Sequence, residues 1–306
     1  MHRYLAQRLL QLVPVLLGVS ILVFLMIHLV PGDPAQVLLQ DYGSSEQIAA
    51  FRHALGLDRP LPVQYGTFVW RLLHGDLGRS IHSGRPVAAE IAARLPYTLR
   101  LAACAMAVAV ALGVALGTLA ALHHRRFVDY GSMVVALAGI SLPSFWFGLV
   151  LILAFSYYLR WLPAAGADSA ASIVLPGVTL GAEAASIIAR LTRSSLLEIL
   201  HQEYIRTARA KGAGAARTIF RHAFKNALIP VLSIAGLQFA GLLGGAVIIE
   251  TVFGWPGVGR LAIDAIFNRD LPMVQGVVLV AAVIFVVVNL MVDLLYGLLD
   301  PRIRYS

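Results

Sequence analysis

At 306 residues, 59% hydrophobic and 13% charged, with a mean hydropathy of +0.79, the chain carries more apolar surface than a soluble domain of its size buries, and it reads as an integral membrane protein. The net charge of +8 fits the basic cytoplasmic loops of such a protein, not a nucleic-acid binder. The single cysteine, Cys104 in an apolar run, excludes an intrachain disulfide and a Cys-ligated metal site.

Leu9 to Gly32 contains no Asp, Glu, Lys or Arg. At about 1.5 Å per residue it spans a hydrocarbon core of about 30 Å. Arg3 and Arg8 precede it and no small-residue cleavage site follows, so it is expected to be an uncleaved signal anchor with the N-terminus inside. From Asp33 to Arg100 charges of both signs appear with Pro60, Pro62, Pro86 and Pro96, which predicts a folded loop outside the membrane. Helical spacing is expected over Ser45–Leu55 and Val63–Leu73. Tyr65, Trp70 and Arg71 are placed at the membrane interface, where amphipathic rings are favoured; substrate contact is the second reading.

Leu101 to Leu122 is the second uncharged stretch. Gly113 and Gly117 in it form a GxxxG pair that lets another helix approach closely. The basic His123-His124-Arg125-Arg126 turn follows; no acid or cysteine joins the histidines at metal-ligand spacing. Tyr130 to Leu159 is again uncharged, with Pro143 inside. That proline predicts a bend near Gly139–Phe145, with Ser141 and Ser144 toward a pathway, or else an interfacial segment ahead of a shorter span.

Ile173 to Ala189 is interrupted by Glu183. An ionisable group at that depth marks a functional site or a buried hydrogen-bonded acid that joins helices. Ala227 to Ile249 is uncharged and glycine-rich, and Glu250 to Pro272 reads as an outer loop holding the turn-dense Phe253–Gly259 segment. Leu271 to Val292 is the last long apolar run, with Asp293 near its end. Six spans put both termini on one side. Among the short loops, that side holds 14 Lys and Arg against 3, so it is cytoplasmic.

Between the fourth and fifth spans lies Glu203–Pro230, with Arg206, Arg209, Lys211, Arg217, Arg221, His222 and Lys225 but only one carboxylate, Glu203. This stretch cannot sit in lipid. Tyr204 to Lys211 reads as a helix with Ala208 and Gly212 on one small-residue face, Gly212 and Gly214 as its end, and a second helix beginning at Ala215. Two short cationic helices form a docking element for a cytosolic partner; a solvated surface pair is the plainer alternative. No HExxH, GxSxG, CxxC or Walker P-loop occurs, so the chain is expected not to be an enzyme and not to bind ATP itself. A secondary transporter and a membrane scaffold or receptor remain as alternative classes.

YIRTARAKG followed by RHAFKNALIP resembles the cytoplasmic loop of ABC importer permeases that work with a binding protein. RLLQLVPVLLGVSILVFLMIHLVPGDP, LGLDRPLPVQY, HGDLGRSI, WLPAAGAD, ARLTRSSLLE, GGAVIIETVFGWPGVGR and VDLLYGLLDPRIRY resemble the dipeptide/oligopeptide/nickel permease group over essentially the whole chain, and within it the dipeptide and glutathione importers. The general loop pattern begins Glu-Ala-Ala where this chain has Arg206-Thr207-Ala208, as the peptide branch does, so no role of that acid is carried over.

The resemblance implies an all-α, type I ABC importer permease-like protein with six transmembrane helices, resident in the bacterial inner membrane with both termini cytoplasmic. The expected organisation is a tail and first span (1–32), an extracytoplasmic loop region (33–100), a five-helix core (101–300) with a coupling loop at about 194–230, and a cytoplasmic tail (301–306). It implies a second homologous permease, two cytosolic ATPases that bind ATP and Mg, an extracytoplasmic solute-binding protein and surrounding lipid, with no cofactor in this chain. Coupling to the ATPases falls to Tyr204, Arg206, Thr207, Ala208, Lys211 and Gly212. By depth alone, Ser141, Glu183, Asn289 and Asp293 are the pathway candidates. The substrate is a small peptide, with a nickel complex or other small solute as the alternative.

Overall fold

The computed structural model describes residues 2–29, 45–54 and 58–299. The helices in chain order are α1 (His2–Leu29), α2 (Ser45–Ala54), α3 (Leu61–Leu73), α4 (Val87–Leu122), α5 (Phe127–Ser141), α6 (Ser144–Leu151), α7 (Val174–Leu200), α8 (Glu203–Ala210), α9 (Phe224–Val252), α10 (Val258–Phe267) and α11 (Leu271–Leu299). A π-helical turn, Ile152–Tyr158, extends α6, and another, Thr218–Ala223, leads into α9. No strand occurs among the described residues.

Four continuous helical stretches are long and apolar enough to cross a membrane: Val87–Leu122, Ala170–Leu200, Thr218–Val252 and Leu271–Val292. α5 and α6, with its π-helical extension to Tyr158, are together long and apolar enough for a fifth, but the pair is bent by 110° between Ser141 and Ser144, the shape of a broken span or a re-entrant loop. Leu10–Met26 of α1 is a shorter apolar helix. The bend falls where Pro143 was expected to place it, and Leu142 and Pro143 take extended backbone angles there.

The chain divides into two compact units. One comprises Met1–Pro96 with Arg260–Val287, the other Tyr97–Gly259 with Val288–Ser306. Arg260–Val287 thus falls in the same unit as the N-terminal region, and the helix that carries the second apolar run begins at Val87, ahead of the charged Glu90, Arg94 and Arg100.

In the first unit, α1 and α3 meet through Ser20 and Tyr65, whose hydroxyls are 2.8 Å apart. Phe24 of α1 meets α3 edge-on to Tyr65 and tilted against Phe68, with ring centroids 5.4 Å and 5.7 Å away. Gln275 Nε2 of α11 donates to the Val23 carbonyl at 2.7 Å. Asp270 is buried just before α11, where it accepts the Ser80 hydroxyl, the Ile81 N–H and the Met273 N–H. It thereby ties the 78–86 turn to the start of that helix.

The core of the second unit is built on α7, which packs against α4, α5, α6 and α9. Small residues set the spacing. A Cβ on Gly113 would lie 2.7 Å from Ile188 Cβ, and one on Gly117 would collide with the Ala189 carbonyl. From the other side, Gly177 and Gly181 of α7 approach Cys104 and Ala105. Contacts therefore advance along both helices together, so α4 and α7 run parallel.

α5 runs the other way: Asp129 meets Arg193, Ser186 donates to the Ala136 carbonyl, and Gly139 abuts Ala182. Beyond the bend, Gly148 of α6 lies near Thr179 and Phe253. The bent pair thus steps along α7 from Arg193 to Thr179, as one broken crossing would. α9 is antiparallel to α7, with Ala223 and Ala227 beside Leu196 at one end and Gly245 near Leu180 toward the other.

Candidate coupling site

α8 follows α7 after a two-residue turn and is polar on most of its surface. One side chain holds it in place. Ile205, fully buried, joins Leu196 of α7, Ala121 of α4, and Ala223 and Ala227 at the start of α9 in one apolar cluster. Burying an isoleucine contributes about 1.5–3 kcal/mol, which is large for an eight-residue helix too short to be stable alone. α8 is therefore fastened to the ends of three long helices through a single anchor.

Around that anchor the predicted coupling residues point outward. Arg206, Thr207, Lys211 and Gly212 are exposed and Ala208 is partly exposed. Arg206 pairs with Glu203 at 3.0 Å, and the Thr207 hydroxyl returns to the Glu203 carbonyl at 3.0 Å. Tyr204 is 42% exposed, and its hydroxyl accepts Asn226 Nδ2 at 2.9 Å. The ring therefore lies across the second segment of the loop.

The structure corrects the expected Ala208/Gly212 face. The helix stops at Ala210, and Gly212 adopts φ +83°, outside the helix. Its N–H donates to the Arg209 carbonyl at 3.0 Å and the Ala213 N–H to the Ala208 carbonyl at 3.2 Å, a Schellman end that requires a left-handed residue. Gly212 thus terminates the helix and does not continue its Ala208 face. The expected second short helix is also different. Ala215–Arg217 passes through the π-helical turn into α9, so Arg217, Arg221, His222 and Lys225 decorate the end of a long helix.

The pathway candidates are not gathered into one site. Ser141 ends α5, exposed, with its hydroxyl on the Leu137 carbonyl at 3.0 Å. Glu183 is exposed on α7, one residue from the Gly139–Ala182 contact, and so does not act as a buried acid joining helices. Asn289 is partly exposed on α11. Asp293 belongs to the same helix, and its side chain lies outside the described residues.

Three features went unnoticed in the sequence. Ile205 is the only aliphatic side chain larger than alanine between Glu203 and Lys211, a signal that was available. Arg193 binds Asp129, whose carboxylate also accepts the Arg125 N–H at 3.0 Å, with His124 Nδ1 at 3.4 Å. Glu250, expected in a loop, is fully buried and accepts the Thr98 hydroxyl at 2.6 Å, while Thr98 accepts the Val258 N–H at 2.8 Å. Trp255 completes that corner by donating Nε1–H to the Tyr97 carbonyl at 3.0 Å. Nothing in their spacing announces these two pairings.

Comparison with known proteins agrees with this architecture. Residues 113–305 match the family model described as binding-protein-dependent transport system inner membrane component, and residues 1–102 match the model of its N-terminal part. The chain is 46% identical over 306 residues to the glutathione transport system permease protein GsiC of Salmonella choleraesuis, and 45% to those of Pectobacterium atrosepticum and Escherichia coli K12, covering 100% of each chain in every case. Among solved structures, a chain of the MetNI methionine ABC transporter in an inward-facing conformation aligns with a TM-score of 0.58 at 16% identity, over 69% of this chain and 96% of that one. A chain of an amino acid ABC transporter aligns with a TM-score of 0.53 at 15% identity, over 68% and 94%. These two likenesses concern the fold.

Proposed function

The chain belongs to the family of binding-protein-dependent transport system inner membrane components, and from that premise we propose that it imports small peptides, glutathione among them, as one of two homologous permeases. Two cytosolic ATPases, which bind ATP and Mg, drive it, and an extracytoplasmic solute-binding protein supplies it. Full-length relatives named for glutathione transport favour a peptide over a nickel complex.

The observation that carries the coupling assignment is the seating of Ile205. Through it, a push on the exposed face of α8 is delivered to the ends of α4, α7 and α9 together. A cytosolic ATPase gripping Tyr204, Arg206, Thr207, Ala208 and Lys211 moves these helices as a group, with Gly212 setting where the gripped element ends. Packed elements transmit such displacement because interfaces have discrete arrangements and do not deform continuously.

Leu10–Met26 and the bent α5–α6 pair complete six crossings, which puts α8 and both termini in the cytoplasm of a bacterial inner membrane. The 14-to-3 excess of Lys and Arg in the short loops supports this orientation. Glu183 supports a water-filled path beside α7. An exposed carboxylate in mid-span is costly against lipid, so it faces a cavity or a cation. Ser141 approaches from the neighbouring bend, and Asn289 and Asp293 extend the polar set along α11.

Reconstitution tests the reading. In vesicles containing this chain, its partner permease, both ATPases and the binding protein, glutathione or dipeptides accumulate only with hydrolysable ATP. Uptake without the ATPases marks a secondary transporter, and assembly with no transport marks a scaffold.

A further inference from the structure

We propose that α3 is a membrane-interface helix whose outward face rests in the lipid of the extracytoplasmic leaflet, alongside α1. This rests on the reading that Leu10–Met26 crosses the bilayer. The helix has two apolar sides, and the described residues of this chain cover only one. Tyr65, Phe68 and Leu72 share the side turned to α1. The opposite side carries Val63, Gly66, Thr67, Trp70 and Leu73 within a sector of about 120°, since successive residues turn by about 100°.

That opposite side has no charged residue; Arg71 lies at its edge. Trp70 is 65% exposed and Leu73 77%, and no residue of α3 is buried. A helix with apolar residues on both sides in water is unstable, so the outward side has an occupant.

Depth identifies lipid as that occupant. Tyr65 bonds Ser20, which lies six residues inside the Met26 end of the apolar stretch, or about 9 Å along the helix axis. α3 is therefore held beside the hydrocarbon-matching part of α1 and not above it. α1 leaves Leu17 and Leu22 exposed at that level, so the medium around both helices is apolar. His28 bonds Gln64 at 3.2 Å near the end of α1, where polar groups meet headgroups. Trp70, an amphipathic ring beside Arg71 and His74, is of the residue type that membrane boundaries favour.

The test uses the assembled transporter in phospholipid nanodiscs without binding protein. Cys104→Ala provides a cysteine-free permease, into which Trp70→Cys, Leu73→Cys, Arg59→Cys, Leu17→Cys and Leu22→Cys are placed singly and spin-labelled. Accessibility to oxygen, which partitions into lipid, is compared with that to a water-soluble nickel chelate. The expected result is an oxygen-to-nickel ratio at 70 and 73 several-fold above that at 59. Nickel-dominated labels at 70 and 73 put the helix in water and overturn the proposal; labels shielded from both reagents mean that another protein covers it, and overturn it as well. Labels at both 17 and 22 that fail to see oxygen reject the crossing of α1 itself, a separate failure from the first two.

Discussion

Arg193 holds Asp129 by two hydrogen bonds, Nε to Oδ1 at 2.7 Å and Nη2 to Oδ2 at 2.8 Å, joining the first turn of α5 to the last third of α7. The Asp129 side chain is only 2% exposed, whereas Arg193 keeps 28%. The two-pronged geometry is the strong form of an ion pair, and it fixes the helix that carries α8 ten residues further on.

Arg193→Leu leaves the buried carboxylate with only the Arg125 N–H and His124 beside it and is expected to destabilise the permease by about 3 kcal/mol, the low end for a broken buried pair because those partners remain and the arginine is partly solvated. The double substitution Asp129→Leu with Arg193→Leu recovers part of the loss. Thermal unfolding of the purified protein in nanodiscs measures both; a single variant as stable as wild type contradicts the role given to the pair.

Ile205→Ala removes the anchor of α8 and costs about 2–5 kcal/mol if the helix stays docked. A helix of eight residues has little else to hold it, so undocking is the expected outcome. Proteolysis at Arg206, Arg209 and Lys211 should accelerate and ATP-driven uptake should fall, while the membrane-spanning helices remain inserted. Unaltered cleavage would show that the apolar cluster does not hold the helix.

Gly212 has φ +83° and open space where a Cβ would lie. Substitution is therefore limited by the backbone alone, at about 1–2 kcal/mol for alanine and less for asparagine. Gly212→Asn should retain uptake, Gly212→Val should lose most of it, and Gly212→Trp should leave insertion intact while uncoupling ATP hydrolysis from uptake. Equal uptake by the asparagine and valine variants would remove the left-handed helix end from the explanation.

Gly257 lies against the Glu250 carboxylate, and a Cβ there would overlap it. Gly257→Ala should displace the 253–259 turn and cost about 1–3 kcal/mol through overpacking. Glu250→Ala in the same chain removes the clash but abandons the Thr98 hydroxyl. Partial recovery of stability in the double variant, read by thermal unfolding, identifies the clash as the cause.

Much of this protein is legible in the order of its residues because lipid imposes a one-dimensional rule: uncharged runs cross and charges stay out. The spans, the bend at Pro143, the basic loops and the family follow from that rule and from contiguous motifs. Glycine spacing at Gly113 and Gly117 likewise announced a close helix contact, although not that α7 would be the partner. The helix ending at Ala210 and the escape of Gly212 from its face depended on backbone hydrogen bonds between residues 208 and 213, which a face-counting argument does not see.

Composition and pattern alone determined that the chain is an integral membrane protein and that a strongly basic segment interrupts its apolar runs, since charge and hydropathy are properties of each residue in place. Only the tertiary structure decided that Ile205 is what fastens that loop to α4, α7 and α9, that Asp129 and Glu250 are buried with partners 64 and 152 residues away, and that α3 lies along α1. Those are pairings between distant segments. Their energy exists only once packing removes water from both partners, so no local feature of either segment reveals it.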